Sequence, residues 1–202
     1  MEIRKLTDLD IRDFCNLIKD MYAHLENLEW FSPMPFDEEN VKIMINKPRF
    51  FIVGAFDDNK LCGVASLDYK CGKLIGKVEF PKDCNTDKLV ESGFAMVHSN
   101  YRGRGIMKQM LSILLDEAKK QGYEWIFGKV HKNNLASYKS LEKLGFKKVK
   151  DLNKEVKIES IKTLLSDNVL NKNATELMEK TLSKNTDKEY LVVDYDILMK
   201  KL

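Results

Sequence analysis

The stretch Leu89–Leu115, LVESGFAMVHSNYRGRGIMKQMLSILL, limits the fold more than any other part of the chain. A strand-like run ending at Val97 meets a turn that holds Gly103 and Gly105. Behind that turn Met107, Met110, Leu111, Leu114, Leu115 and Ala118 recur at three and four residues. This spacing predicts a long amphipathic helix, with Gly122 placed where a left-handed residue closes a helix. A strand turning directly into a helix belongs to a layered α/β domain, and it offers an anion the unpaired amides and dipole of the helix N-terminus. The two glycines let a ligand approach the backbone, and Arg102 and Arg104 add charge at the rim. Neither standard nucleotide loop is complete. The pattern G-x-x-x-x-G-K-[ST] is absent, and G-x-G-x-x-G fails at its third glycine, where Lys108 stands.

The rest of the chain supplies layers for this unit. MEIRKL reads as a first strand, and Thr7 as the cap of a helix whose apolar positions are Ile11, Phe14, Leu17, Ile18, Met21 and Leu25. Two prolines interrupt residues 27–36, and DEENVKIMIN restarts helical spacing with acidic residues in its first turn. RFFIVGAF and LCGVASLDY flank the turn residues DDNK, which predicts a hairpin over residues 49–69. LIGKVEF reads as a short strand, followed by a polar connection over residues 81–88 and the strand 89–97. YEWIFGKVH is a further strand, NNLASYKSLEKL a helix opened by an Asn, GFKKVK a strand, and EYLVVDYDIL the last strand. No repeat or linker composition divides the 202 residues, so one mixed α/β domain over 1–202 is expected. The Lys/Asn/Glu-rich piece 151–188 reads as a helical insertion before the last strand.

Charge and cysteine usage exclude several classes. The net charge of +3 comes from 34 basic and 31 acidic residues spread along the chain, so neither a nucleic-acid footprint nor a polybasic membrane patch is indicated. Any anion site is therefore local. The four cysteines lack CxxC spacing and the three histidines are scattered, which argues against a metal site and for reduced thiols. With no apolar leader and no run long enough to span a bilayer, a cytoplasmic location is expected.

Two segments carry a resemblance. MVHSNYRGRGIMKQML resembles the pyrophosphate-binding loop of the GNAT superfamily of acetyl-CoA-dependent N-acetyltransferases, and NNLASYKSLEKLGFKKV resembles the segment that follows it there. The likeness covers residues 89–149, extends to the hairpin and the N-terminal helices, and leaves out 151–188. It implies a mostly antiparallel central sheet flanked by helices, with acetyl-CoA as co-substrate and no metal. The strand residues Ala95, Met96 and Val97 would then pair with the pantetheine arm. The amides of Arg102, Gly103, Arg104, Gly105, Ile106, Met107 and Lys108 would hold the pyrophosphate, and Asn134 and Ser137 would contact the cofactor. Gly145 and Phe146 match the end of the second motif. Met107 stands where the family has Gly or Ala when its pattern is read from Arg102; read from Asn100, the pattern keeps both glycines and loses its first residue. Leu141 stands where many relatives carry a Tyr that protonates the leaving thiolate.

The same resemblance implies an acceptor amine, small molecule or peptide, attacking the thioester directly, with the Ala95 N–H as oxyanion donor. Tyr138 is one turn before Leu141 and substitutes for the acid only if it points to the sulfur; packing is its other reading. A thiol pKa near 8.5 makes the thiolate a tolerable leaving group even without an acid. Some histone-type relatives carry a basic Glu three residues before the position of Phe94, which is Glu91 here. Strand alternation puts Glu91, Gly93 and Ala95 on one face, so Glu91 is either the base or a solvent-facing side chain. His98 and His131 each end a strand and border the cleft in the same reading. His24, Trp30 and Phe31 line the acceptor side or pack in the core. A non-catalytic acyl-CoA binder of the same fold is the competing reading, and a homodimer is among the assemblies left open.

Overall fold

The computed structural model describes residues 1–25, 30, 34–70, 80–157, 159, 162, 165, 172–184, 186 and 189–202. Its strands are β1 (Glu2–Lys5), β2 (Phe50–Asp57), β3 (Lys60–Asp68), β4 (Leu89–Val97), β5 (Trp125–His131), β6 (Lys147–Lys157) and β7 (Tyr190–Lys201). Its α-helices are α1 (Ile11–Ala23), α2 (Glu38–Asn46), α3 (Ile106–Lys120), α4 (Leu135–Glu142) and α5 (Lys172–Ser183). The seven strands form one sheet in the order β1-β2-β3-β4-β5-β7-β6. Among the described residues only β4 and β5 pair in parallel, because α3 carries the chain across between them; every other pair is antiparallel.

The expected hairpin is β2–β3. Its two turn residues, Asp58 and Asn59, have φ of 46° and 64°. A two-residue loop with positive φ at both positions matches the twist of the strands, and Asp and Asn tolerate it better than most residues. The apolar stripes predicted for α1 and α3 are buried, except for Ile11 and Met107, which are partly buried. On one side of the sheet Phe14, Leu17, Ile18 and Met21 of α1 pack with Val41 of α2 and with Ile52, Val64 and Met96 of the strands. On the other side Ile106, Met110, Leu111 and Leu114 of α3 pack with Val53, Ala65, Val90, Ile126 and Val130.

One boundary differs from the sequence expectation. The strand begun at GFKKVK runs on to Lys157, so residues 151–157, assigned above to the insertion, are strand. They pair with Tyr190–Asp196 of β7, a partner that lies far along the chain and that local periodicity cannot reveal. Of the expected helical piece the structure describes α5, whose Met178 is buried in the α1 core. The strand expected at LIGKVEF lies mostly in residues 71–79, which are outside the described residues, as is Phe31.

Thr7 caps a single turn of 3-10 helix, Asp8–Asp10, that feeds α1. Its N–H and hydroxyl donate to the Asp10 carboxylate at 2.8 and 3.0 Å, and Arg4 donates to the same group at 2.8 and 2.7 Å. Asp10 is 4% exposed. The Arg4 hydrogen bond, helped by Thr7, holds the Asp10 carboxyl below the usual carboxylate range. A lowered folded-state pKa stabilises the protein above the unfolded value, about 3.9, and that stability is lost as pH falls through the folded value. Asp10→Ala should therefore lose about 2 kcal/mol at pH 7. At pH 3 the loss should be smaller. Urea midpoints at the two pH values measure the difference.

Candidate active site

Between β4 and α3 the chain makes one turn of 3-10 helix, Ser99–Tyr101, and then passes Gly103 and Gly105, whose φ values are 79° and 74°. Both need the left-handed region, which glycine enters without strain. A Cβ built on either would meet no heavy atom within 4 Å, so this side of the loop is open. The backbone bond from the Gln109 amide to the Gly105 carbonyl, 3.2 Å, opens α3. The amides of Ile106, Met107 and Lys108 therefore stand at the position where a helix leaves N–H groups without intrahelical acceptors. The two arginines curl over the loop. Arg102 Nε donates to the Val97 carbonyl at 3.4 Å, and Arg104 donates to the Asn100 carbonyl at 3.1 Å while lying 4.9 Å from the Tyr101 ring centroid.

Beside the loop the sheet splits. Parallel pairing of β4 with β5 runs from Leu89↔Trp125 to Ser92↔Gly128 and stops. Beyond that point β4 stays on β3 while β5 stays on β7. A bulge accompanies the split, because Leu67↔Ser92 and Ala65↔Ala95 place three steps of β4 against two of β3. Gly93 makes the bulge possible: a Cβ there would lie 2.5 Å from Ser66 Oγ.

The bulge corrects the alternation expected for β4. Val90 and Ala95 are five residues apart yet pack in the same core with α3. Strict alternation would put them on opposite faces. Glu91, next to Val90, therefore shares the α1 face with Phe94 and Met96 rather than the face of Ala95. The backbone phase also follows. The His98 amide donates to the Cys62 carbonyl of β3 at 2.9 Å. With a two-residue period the Met96 amide also faces β3, and Ala95 and Val97 turn their backbone groups to the split. The bond from Arg102 to the Val97 carbonyl fits this phase.

The far wall begins with Asn134, the N-cap of α4, whose Oδ1 accepts from the Ser137 amide at 3.1 Å. Its NH₂ group is left as a donor. Leu141, 5% exposed, fills the apex: its Cδ1 is 3.3 Å from the point where Gly128 would carry a Cβ, and Ser92 Cβ is 3.9 Å from that point. Hydrocarbon thus occupies the place where a Tyr had been the family expectation. Tyr138 packs on the α3 core among the charges of β6 and β7, with burial first and Asp196 second raising its phenol pKa. Nearby, Lys148 bridges Asp151 at 2.8 Å and the buried Asp196 at 2.9 Å.

On the α1 face Glu91, 8% exposed, is ion-paired with Lys129 of β5 at 2.7 Å. Its register partner on β3 is Asp68, which is held by Arg49 through Nε at 2.6 Å and through Nη2. The histidines take structural partners. His131 Nδ1 accepts from the Asn133 amide at 3.2 Å, and its ring meets Tyr195 edge-on at 5.7 Å. His98 Nδ1 accepts from the Asn100 amide at 3.2 Å, and His24, exposed, lies 3.2 Å from the Asp20 carboxylate. Trp30 is described, with its indole nitrogen buried and lacking a hydrogen-bond partner.

Sequence reasoning missed Lys129, Asp68 with Arg49, and Asp20. The signal for Lys129 was present in FGKVH, where a lone charge interrupts an otherwise apolar strand. A surface cavity of about 710 Å³, lined by Lys5, Ile45, Phe50, Phe51, Tyr69 and Glu117 among others, opens at the opposite end of β3 and α3, away from this loop. Among the described residues no group of three or more His, Cys, Asp or Glu could hold a metal ion, and no helix is long and apolar enough to cross a membrane.

A family model described as Acetyltransferase (GNAT) family matches residues 12–146. Among curated proteins no relative matches the chain. A ribosomal-protein-alanine N-acetyltransferase from Brucella melitensis superposes with a TM-score of 0.64 at 18% identity, with 100% of both chains covered. An N-acetyltransferase from Staphylococcus aureus Mu50 gives 0.63 at 20%, covering 99% of this chain and 97% of that one. A phosphinothricin acetyltransferase from Sinorhizobium meliloti, solved in complex with acetyl-CoA, gives 0.67 at 15%, covering 100% and 88%.

Proposed function

Because the chain belongs to the GNAT acetyltransferase family, we propose that it transfers the acetyl group of acetyl-CoA to a primary amine, small molecule or peptide, by direct attack. The observation that carries this reading is the split of β4 from β5 beyond Ser92 and Gly128, opening beside the two left-handed glycines. The loop fits a diphosphate: it is open at Gly103 and Gly105, it presents the first amides of α3, and it is rimmed by Arg102 and Arg104. Bound there, acetyl-CoA supplies the thioester that the amine attacks.

The chain's own groups then divide the work. Arg102, Gly103, Arg104, Gly105, Ile106, Met107 and Lys108 hold the phosphates. Ala95, Met96 and Val97 run alongside the pantetheine arm, and Asn134 and Ser137 close on it from α4. The Ala95 N–H, turned to the split, donates to the carbonyl oxygen as negative charge grows there, which is the role of a preorganised dipole. Glu91, held by Lys129, takes a proton from the amine. The new C–N bond forms as the C–S bond breaks, and the thiolate leaves. Leu141 supplies no proton to it. Tyr138 stays protonated at neutral pH but stands among Asp196, Lys148 and Asp151. Water therefore protonates the thiolate in this mechanism.

Leu141 at the apex also favours a second reading, an acyl-CoA binder without turnover. Calorimetry with CoA, followed by free-thiol release over an amine panel, separates the two. The enzyme reading expects binding and thiol release with at least one acceptor. Binding without release on any amine supports the binder, and absence of binding overturns both.

A further inference from the structure

The glycines that open the phosphate loop contribute no side chains of their own to fix its shape. Nothing packs within 4 Å of where a side chain would begin at Gly103 or Gly105. Helix α3 anchors one end of the loop. The other end leaves β4, where the His98 amide bonds the Cys62 carbonyl, and is held further by a side chain from a different layer, Asp20 near the C-terminus of α1, 13% exposed. Its Oδ2 accepts from the Ser99 amide at 2.8 Å and its Oδ1 from the Ser99 hydroxyl at 2.8 Å. His24 Nδ1 lies 3.2 Å and His98 Nε2 3.7 Å from Oδ1.

The ring of His98 is oriented for this contact. Its Nδ1 accepts from the Asn100 amide, so the neutral ring carries its proton on Nε2, the nitrogen that faces Asp20. The same ring meets Tyr101 edge-on at 5.8 Å, and Tyr101 lies under the Arg104 guanidinium. An unbroken series of contacts therefore leads from α1 through Asp20, His98 and Tyr101 to the rim of the phosphate site.

We infer that Asp20 is a positioning residue of the cofactor site: it pins residues 98–101 so that the loop amides and Arg104 are set for the CoA diphosphate before binding. This rests on the acetyl-CoA reading above. Preorganisation of this kind acts on affinity, because the loop is not ordered at the expense of binding.

The test uses the full chain, with CoA and pantetheine as probes; pantetheine has the same thiol arm and lacks the diphosphate. Asp20→Ala should raise the Kd for CoA about 10-fold, by loss of hydrogen bonds to a charged group, and leave the Kd for pantetheine within about 2-fold. Asp20→Asn keeps an acceptor for Ser99 and should recover most of the affinity. Equal weakening of both probes would show general damage and overturn the inference, as would a CoA affinity unchanged by Asp20→Ala. If Asp20→Ala does not fold, Ser99→Ala decides: about 3-fold weaker CoA binding with pantetheine unaffected supports the inference, and no change overturns it. Absence of CoA binding by the unmodified protein would instead remove the acetyl-CoA reading.

Discussion

Gly105→Val should raise the dissociation constant for CoA at least about 100-fold, the largest change expected for a single substitution in the loop. Two effects add. A residue with a side chain pays about 1–2 kcal/mol to hold a left-handed conformation, and a β-branched one is worse placed than alanine. The new side chain also enters the open space beside the first amides of α3, where the diphosphate is proposed to sit. Each hydrogen bond lost to a charged group costs about 1.5–3 kcal/mol. The fold should tolerate the change, since the loop is exposed and α3 is held by Ile106, Met110 and Leu114. A thermal midpoint lowered by about 2–8 °C is expected. Normal CoA affinity in this variant would place the diphosphate elsewhere.

Glu91→Gln should lower the rate about 100-fold at pH 7 and progressively less as pH rises. An aliphatic amine with a pKa near 10.4 is neutral in only about one molecule in 10³ at pH 7, so a base matters most there. General base catalysis contributes about 10²–10⁴-fold. Near the amine's own pKa the free base is abundant and the two proteins should converge. Gln keeps the shape of Glu91 and an oxygen towards Lys129, which limits the structural damage. The readout is the pH profile of thiol release at saturating acceptor. A uniform drop at every pH would mark Glu91 as a structural partner of Lys129, and an unchanged profile would remove it from the chemistry.

The parts of this site that are local in sequence were legible in it. The positive φ values at Gly103 and Gly105, the Asn134 cap and the close of α3 at Gly122 all sit where turn and capping chemistry puts them. What depended on strand pairing was not. The face of Glu91 changed because Gly93 tucks against Ser66 and adds a bulge, a contact between residues 27 apart. The extension of β6 to Lys157 depends on β7, which follows after a long intervening segment. Asp20 reads locally as one more polar position on an amphipathic helix. Only the fold brings it to Ser99, 79 residues on.

The position of β7 sets an order of events as the chain is made. This strand lies between β5 and β6, so until residues 190–201 have emerged β5 has an uncovered edge and β6 has no neighbour. The loop, α3 and the β4 side of the cleft pack mainly on β2, β3, β4 and β5, all of which precede β7 in the chain, and can assemble first. One half of the cleft is then ready during synthesis while the other waits for a late, distant pairing. Such pairings form slowly, and an exposed strand edge invites association with other chains. Substitutions in β7 should thus act on the yield of soluble protein before they act on the finished enzyme.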